Sequence, residues 1–392
     1  MRLPLRTPLA RKNLTHDPRR LLIALCGIGF AVVLMFMETG FENALFDSTI
    51  RIIEKLDGEI VIASKAEYYL LAGETFRRRR VYQARSCPDV EGVYPLYMEI
   101  FSGLWKPPGC KSYPIRVLAF EPGDPVFSIP EINRQAAALR QPETAMIDTK
   151  SKSTFAVPES LAELLEQRGA ELAGRSIRLV GAFELGTDFA NDGSVVMSAA
   201  NFAGYFPYRV PGGDPLSRVD LAVAHVRPGA DPETVAERLR QILPDDVKVF
   251  TRQGFVQNEI EFWSESTPIG YVFMVGTLVG FVVGVIICYQ VIYSGISDYM
   301  SEFATLKAMG YPNRYFVGLV LTQSLYLSVL SFLPGLVVSL LLYHLLAEWT
   351  GLLMILNFRR AAVVFALTAV MCVVSGCLAI RKVLAADPAE LF

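Results

Sequence analysis

The stretch ISDYMSEFATLKAMGYP, residues 296–312, is a short polar segment held between two long apolar runs. Its apolar side chains at Tyr299, Phe303 and Leu306 recur at i, i+4 and i+7, and Gly310 followed by Pro312 is a helix stop signal. The spacing therefore predicts a stub of amphipathic helix. Upstream, residues 268–293 carry no charge; downstream, residues 315–346 carry only the ionisable His344. Each run exceeds the roughly 20 residues that span a bilayer. The stub is thus expected to join two transmembrane helices at the membrane surface, either as a plain connector or as a point where a partner engages.

A chain of 392 residues with 52% hydrophobic residues and a mean hydropathy of +0.35 is too apolar for an ordinary soluble protein. Its 19% of charged residues is too many for a chain wholly inside a membrane. A formal net charge of −2 argues against nucleic acid as a partner, whose phosphates call for a basic excess. Four long apolar runs stand out: residues 21–37 (extended past Glu38 by residues 39–41), 268–293, 315–346 and 361–380. No small-residue cleavage site follows the first, and its basic leader is long and contains Pro4, Pro8 and Pro18, so it reads as an anchor rather than a signal peptide. Lys and Arg near the span ends set the orientation. Arg2, Arg6, Arg11, Lys12, Arg19 and Arg20 in the leader, Lys307 and Arg314 by the stub, and Arg381 and Lys382 in the tail outweigh Arg359 and Arg360 in the one competing short loop. Both termini and the stub are expected in the cytoplasm of an inner-membrane protein.

The expected fold class is an α-helical membrane protein with four transmembrane helices plus an extracytoplasmic α+β domain inserted between the first and second. The expected divisions are a cytosolic amphipathic segment (1–20), the first span (21–41), a periplasmic domain with flanking stalk helices (42–267) and the second span (268–294). A cytosolic coupling loop (295–314), the third span (315–346), a short outer loop (347–360), the fourth span (361–381) and a cytosolic tail (382–392) follow. Helical spacing continues past the first span to Leu56, and residues 251–265 repeat the pattern ahead of the second, giving two stalks of about four turns, roughly 22 Å each. Between them, strand candidates fall at residues 59–63, 93–101, 115–120, 145–148, 177–183, 195–198, 219–225 and 247–251, with a helix over 232–243 capped by Asp231. Among six cysteines, only Cys87 and Cys110 lie in this domain, where a disulfide between them is chemically permitted.

Catalytic patterns are absent from the sequence. The outer domain has one histidine, His225, in a strand; there is no HExxH, GxSxG or CxxC, and no Gly-Lys pair that a P-loop would need. Asp188 and Asp192 in GTDFANDGS read as turn formers rather than metal ligands. No enzyme activity and no cofactor are expected, and any nucleotide hydrolysis belongs to another chain. Arg77 to Arg80 form the sharpest charge run, read as a solvated helix face in preference to a surface for an acidic partner or lipid phosphate. Gly276 and Gly280 form a GxxxG, and the spans lack the mid-membrane charges that ion-coupled transporters use.

One span, a large outer domain and three further spans with a short helix between the second and third resembles the MacB/FtsX superfamily of ABC transporter permeases. The superfamily's coupling stub reads R-x-R-E-I-G-x-x-R-A-x-G; Glu302, Lys307, Ala308 and Gly310 fall on its acidic, basic, Ala and Gly positions, whereas the leading arginines are missing and Phe303 and Ala304 replace Ile-Gly. Asp387, Pro388 and Ala389 resemble the C-terminal DPA(E) ending. VVLMFMETGFENALFDST, FRRRRVYQA, VYPLY, TPIGYVF and ATLKAMGY are similar to the DevC type, the permease of heterocyst-glycolipid exporters. The resemblance implies a homodimeric, non-catalytic permease paired with an ABC ATPase subunit, a membrane-fusion adaptor and a TolC-like outer-membrane channel. It would export a lipid or glycolipid by mechanotransmission. It also implies that Glu302, Phe303, Thr305, Leu306, Lys307, Ala308, Met309 and Gly310 form the ATPase-coupling site. An FtsX-like activator of a periplasmic hydrolase and a lipoprotein-release permease of the LolC/LolE kind are the alternatives.

Overall fold

A computed structural model describes residues 17–158, 160–166, 169–350 and 354–385. Most of the basic leader and the ending at Asp387, Pro388 and Ala389 lie outside the described residues. The chain divides into two compact units, one built from residues 45–267 and the other from the helices that precede and follow it in sequence.

Each apolar run lies within a helix: α1 (Pro18–Glu54), α8 (Pro268–Asp298), α10 (Asn313–Thr350) and α11 (Phe358–Ala385). All four are long and apolar enough to cross a membrane. Their buried faces form one apolar cluster including Ile28, Val32, Phe36, Cys288, Phe316, Met371 and Cys372. Close approach depends on glycine. A Cβ at Gly284 would lie 2.1 Å from Met371 Sδ and 2.9 Å from Ala31 Cβ, and one at Gly335 would lie 3.0 Å from Val32 Cβ. In the expected GxxxG pair, Gly280 meets Met35 and Leu34 at ordinary contact distance, while a Cβ at Gly276 would lie 2.5 Å from the Glu38 carboxyl.

The other unit is α+β. Its main sheet runs β10-β7-β11-β6-β3-β13-β1-β14, built from Arg178–Phe183, Thr144–Asp148, Ser194–Ser198, Arg116–Phe120, Val90–Glu99, Leu221–Val226, Ile60–Ser64 and Val247–Thr251. The ten-residue β3 holds the sheet together, since Val90–Leu96 pairs with β13 and Tyr97–Glu99 with β6. Strand alternation divides the side chains between two cores. Ile60, Ile62, Val117, Ala119, Val195 and Met197 enter one; Val61, Ala63, Leu118, Phe120 and Val196 enter the other. Burial on both faces explains why these strands read as continuous apolar runs. Helix α6 (Pro232–Ile242) lays Val235, Ala236 and Leu239 on the first core, with Asp231 accepting from Thr234 N as its N-cap. Two small sheets have strands of two or three residues: one joins β5 (Tyr113–Pro114), β4 (Leu104–Lys106), β8 (Glu171–Leu172) and β9 (Arg175–Ser176), and the other joins β12 (Arg218–Val219) and β2 (Phe76–Arg77).

The first stalk is continuous with α1, and Ile52, Ile53 and Leu56 belong to the second core. The second stalk, α7 (Arg252–Glu261), passes into a π-helical turn at Phe262–Ser266 and breaks at Thr267, which is extended (φ −117°, ψ 153°). Pro268 forces this, because its ring excludes the helical conformation from the preceding residue. Cys87 and Cys110 are not bridged. Cys87 is buried in the first core beneath α2 (Arg79–Ala84), whereas Cys110 is exposed in the turn between β4 (Leu104–Lys106) and β5 (Tyr113–Pro114).

Gly284→Leu should lower the stability of the detergent-solubilised chain by about 1–3 kcal/mol through overpacking. Gly318→Ala meets nothing within 4 Å and should leave the melting temperature unchanged or slightly raised. Thermal unfolding monitored by size-exclusion chromatography distinguishes the two.

Candidate functional site

The stub is a separate nine-residue helix, α9 (Met300–Ala308). Helix α8 ends at Asp298 and the chain bends at Tyr299 (φ −98°, ψ 16°) before turning helical again. At the far end, Gly310 takes φ +88°, a left-handed conformation that side chains disfavour. This closes a Schellman cap: Gly310 N–H donates to Lys307 O (3.0 Å) and Tyr311 N–H to Leu306 O (3.2 Å). Pro312 then prevents the helix from continuing, and α10 begins at Asn313.

Two residues anchor the stub. Phe303 and Ala304 are buried, and the Phe303 ring meets Phe316 of α10 edge-on, with centroids 6.0 Å apart. Tyr315 extends the aromatic contact to Tyr311, 4.9 Å away. Leu306 and Lys307 are half-buried. The opposite face, with Glu302, Thr305, Ala308 and Met309, is exposed, as is Gly310. Met309 is 63% exposed and places a large apolar side chain on this open face. The eight residues singled out thus divide into a buried pair-member, Phe303, two half-buried flanks and five exposed positions. Ala304, buried to the same degree as Phe303, was missed because alanine adds little to a periodicity signal.

The sheet-rich unit holds several buried carboxylates that sequence reasoning did not single out. Glu259 accepts from Leu70 N (2.9 Å) and Trp263 Nε1 (2.9 Å), and burial pushes its pKa up. Asp220 accepts from Met98 N (2.9 Å) and Arg209 (2.7 Å) and is pushed up to about 6 by burial, against the nearby Arg209 cation. Glu67 is pushed up to about 9, first by burial and then by Asp220 and Glu259, and its Oε2 has no hydrogen-bond partner. Asp148 binds the loop amides of Leu185 (3.1 Å) and Gly186 (2.7 Å). Asp148, Asp220 and Glu259 each tie a loop to the sheet or to α7.

The residues weighed in sequence have structural partners. Asp188 pairs with Arg116 and accepts from Ala190 N and Asn191 N, and Asp192 pairs with Lys152 at 2.6 Å. His225 Nε2 lies 2.8 Å from Pro125 O and its ring meets Tyr94 edge-on. Among the described residues, no group of three or more His, Cys, Asp and Glu side chains could hold a metal ion.

Residues 274–388, which contain the stub and its flanking helices, match the family model described as FtsX-like permease C-terminal. A comparison with curated proteins gives no match. Among solved structures, the periplasmic region of MacB from Actinobacillus actinomycetemcomitans is similar, with 11% identity over 52% of this chain and 94% of that chain, at a TM-score of 0.35. The extracellular domain of the noncanonic ABC-type transporter YknZ from Gram-positive bacteria gives 10% identity over 49% of this chain and 99% of that one, at a TM-score of 0.34.

Glu67 makes a pH test possible. Its unfolded form loses a proton near 4.5 and its folded form only near 9, so between these values the folded state holds more protons and stability falls as pH rises. Glu67→Gln should flatten that fall by up to about 1.4 kcal/mol per pH unit. Melting curves of both proteins from pH 5 to 9 measure it; parallel curves would contradict the burial of a protonated Glu67.

Proposed function

We propose that this chain is the membrane subunit of an ABC-type exporter of the MacB/FtsX superfamily. In this reading α9 is the coupling helix through which a separate ATPase moves it. The observation that carries the proposal is the stub within the FtsX-like segment, anchored on one face by Phe303 and Ala304 and open on the other at Glu302, Thr305, Ala308 and Met309. A helix fixed by a buried aromatic and closed by a Schellman cap moves with its neighbours rather than independently of them. An exposed Met beside small and acidic side chains offers an adaptable apolar contact ringed by polar groups.

The stub and both termini lie in the cytoplasm in this reading, and the sheet-rich unit lies in the periplasm. ATP-driven closure of the ATPase pair pushes on residues 302–310. The movement leaves along α1, whose outer end is built into the core of the sheet-rich unit. Two copies of the chain operate together with a membrane-fusion adaptor and a TolC-like duct. The DevC-like segments extend the proposal to a glycolipid or another amphiphile as cargo, expelled from the outer side of the membrane without an alternating-access pore.

Glu302→Arg should reduce permease-stimulated ATP hydrolysis by the reconstituted partner at least tenfold, equivalent to about 1.4 kcal/mol of lost coupling, while expression and melting temperature stay at wild-type values. Stimulation equal to that of the wild type would remove α9 from the coupling role.

A further inference from the structure

Strand β2 (Phe76–Arg77) pairs antiparallel with β12 (Arg218–Val219), and the register sets Arg77 directly opposite Arg218. The neighbouring pair, Phe76 and Val219, is buried in the core, so the register cannot slip to separate the cations. Like charges facing each other across a ladder are destabilising. Arg78 and Arg79 follow at once in the chain. Together with Asp214 and Ser217 these four arginines line a cavity of about 420 Å³.

Local carboxylates offset this cluster only in part. Asp214 caps the turn at Pro215–Ser217 by accepting from Leu216 N, Asp246 is engaged by Arg80 at 2.9 Å, and Asp245 pairs with Lys65. Glu74 is exposed in an adjoining cavity that Arg77 and Arg218 share. The guanidinium contacts are to neutral groups: Arg218 Nε donates to Thr75 Oγ1 (3.0 Å) and Arg78 stacks 5.9 Å from the Tyr82 ring centroid. The backbone is well held, with Arg78 N–H donating to Ser217 O at 2.9 Å. The lining thus sets four arginines against one carboxylate, Asp214, and the hollow keeps an excess of positive charge.

We propose that this hollow is a binding site for a phosphate-bearing ligand, either a free phosphate ester or a phospholipid headgroup. Guanidinium forks pair two-point with phosphate oxygens, and a single phosphate group concentrates its negative charge in a volume that several forks reach together. A carboxylate-rich protein segment carries one charge per side chain and suits a broad surface better than a hollow of this size. Binding relieves the repulsion between Arg77 and Arg218 and so stabilises the folded chain. The site does not depend on the coupling role of α9.

The test uses the full chain in uncharged detergent micelles. Inorganic phosphate and glycerol 1-phosphate probe the soluble source, and mixed micelles containing phosphatidylglycerol probe the lipid source. Binding is read by calorimetry and by the ligand-dependent rise in melting temperature. We expect at least one probe to bind, its affinity to fall with added salt, and Arg77→Gln/Arg79→Gln to weaken it at least tenfold, while Arg134→Gln on α3 (Pro130–Gln135) leaves it unchanged. Binding of the soluble esters assigns a free phosphate; binding only in phosphatidylglycerol micelles assigns a headgroup. Arg79→Gln alone, exposed and outside the ladder, should weaken binding at least threefold if the double variant does not fold. No binding by any probe, affinity unaffected by these substitutions, or tighter binding of a polyglutamate peptide than of every phosphate probe would overturn the proposal.

Discussion

A hydrocarbon layer tolerates neither an unpaired backbone amide nor a bare charge, and this constraint confines the chain's working groups to the ends of its long helices. Within the helices, hydroxyls return to their own backbone: Ser324 to Val320 O, Ser339 to Gly335 O, Thr368 to Val364 O and Ser375 to Met371 O. Packing rests on apolar side chains and the close approaches at Gly284 and Gly335, with hydrogen bonds from Ser375 Oγ to Val285 O (2.8 Å) and from Tyr343 OH to Phe36 O between helices.

At one end of α8 the chain bends at Tyr299 into α9, which is held by Phe303 and Ala304 and closed at Gly310. At its other end, Thr267 and Pro268 interrupt the connection to α7 after a π-helical turn. Helix α1 has no such interruption between Pro18 and Glu54. One connection to the sheet-rich unit is thus a continuous helix and the other is broken at Thr267. The buried carboxylate Glu259 lies on α7 just before this break, where it binds Leu70 N and Trp263 Nε1 and fixes the turn to the sheet-rich unit.

Much of this was legible in the sequence because the signals were local. Charge-free runs mark the four helices, apolar alternation marks the main strands, and Gly310 with Pro312 marks the end of the stub. The break at Thr267 was also written there, in Pro268, but helical spacing on both sides of it suggested continuity. What escaped depends on partners far away in sequence. Arg80 turns inward because Asp246 lies opposite it, so the arginine run is not a uniform solvated helix face. Arg77 faces Arg218 only because two-residue strands meet, and strands that short carry no periodicity. Glu67 and Asp220 become buried through the sheet's pairing, and Cys87 is drawn into a core that Cys110 never reaches. The stub's location was readable; its division into anchored and open faces was not, since that depends on the position of Phe316.

The central claim is that α9 faces the compartment where ATP is hydrolysed and the sheet-rich unit faces the opposite one. The most direct measurement is labelling by a membrane-impermeant maleimide in a cysteine-free background, with a single cysteine at Met309→Cys or at Gly212→Cys, an exposed turn of the sheet-rich unit. With the outer membrane opened and the inner membrane intact, Gly212→Cys should react and Met309→Cys should react only after the inner membrane is permeabilised. Labelling of Met309→Cys with the inner membrane intact would place the stub beyond the reach of any ATPase and contradict the account.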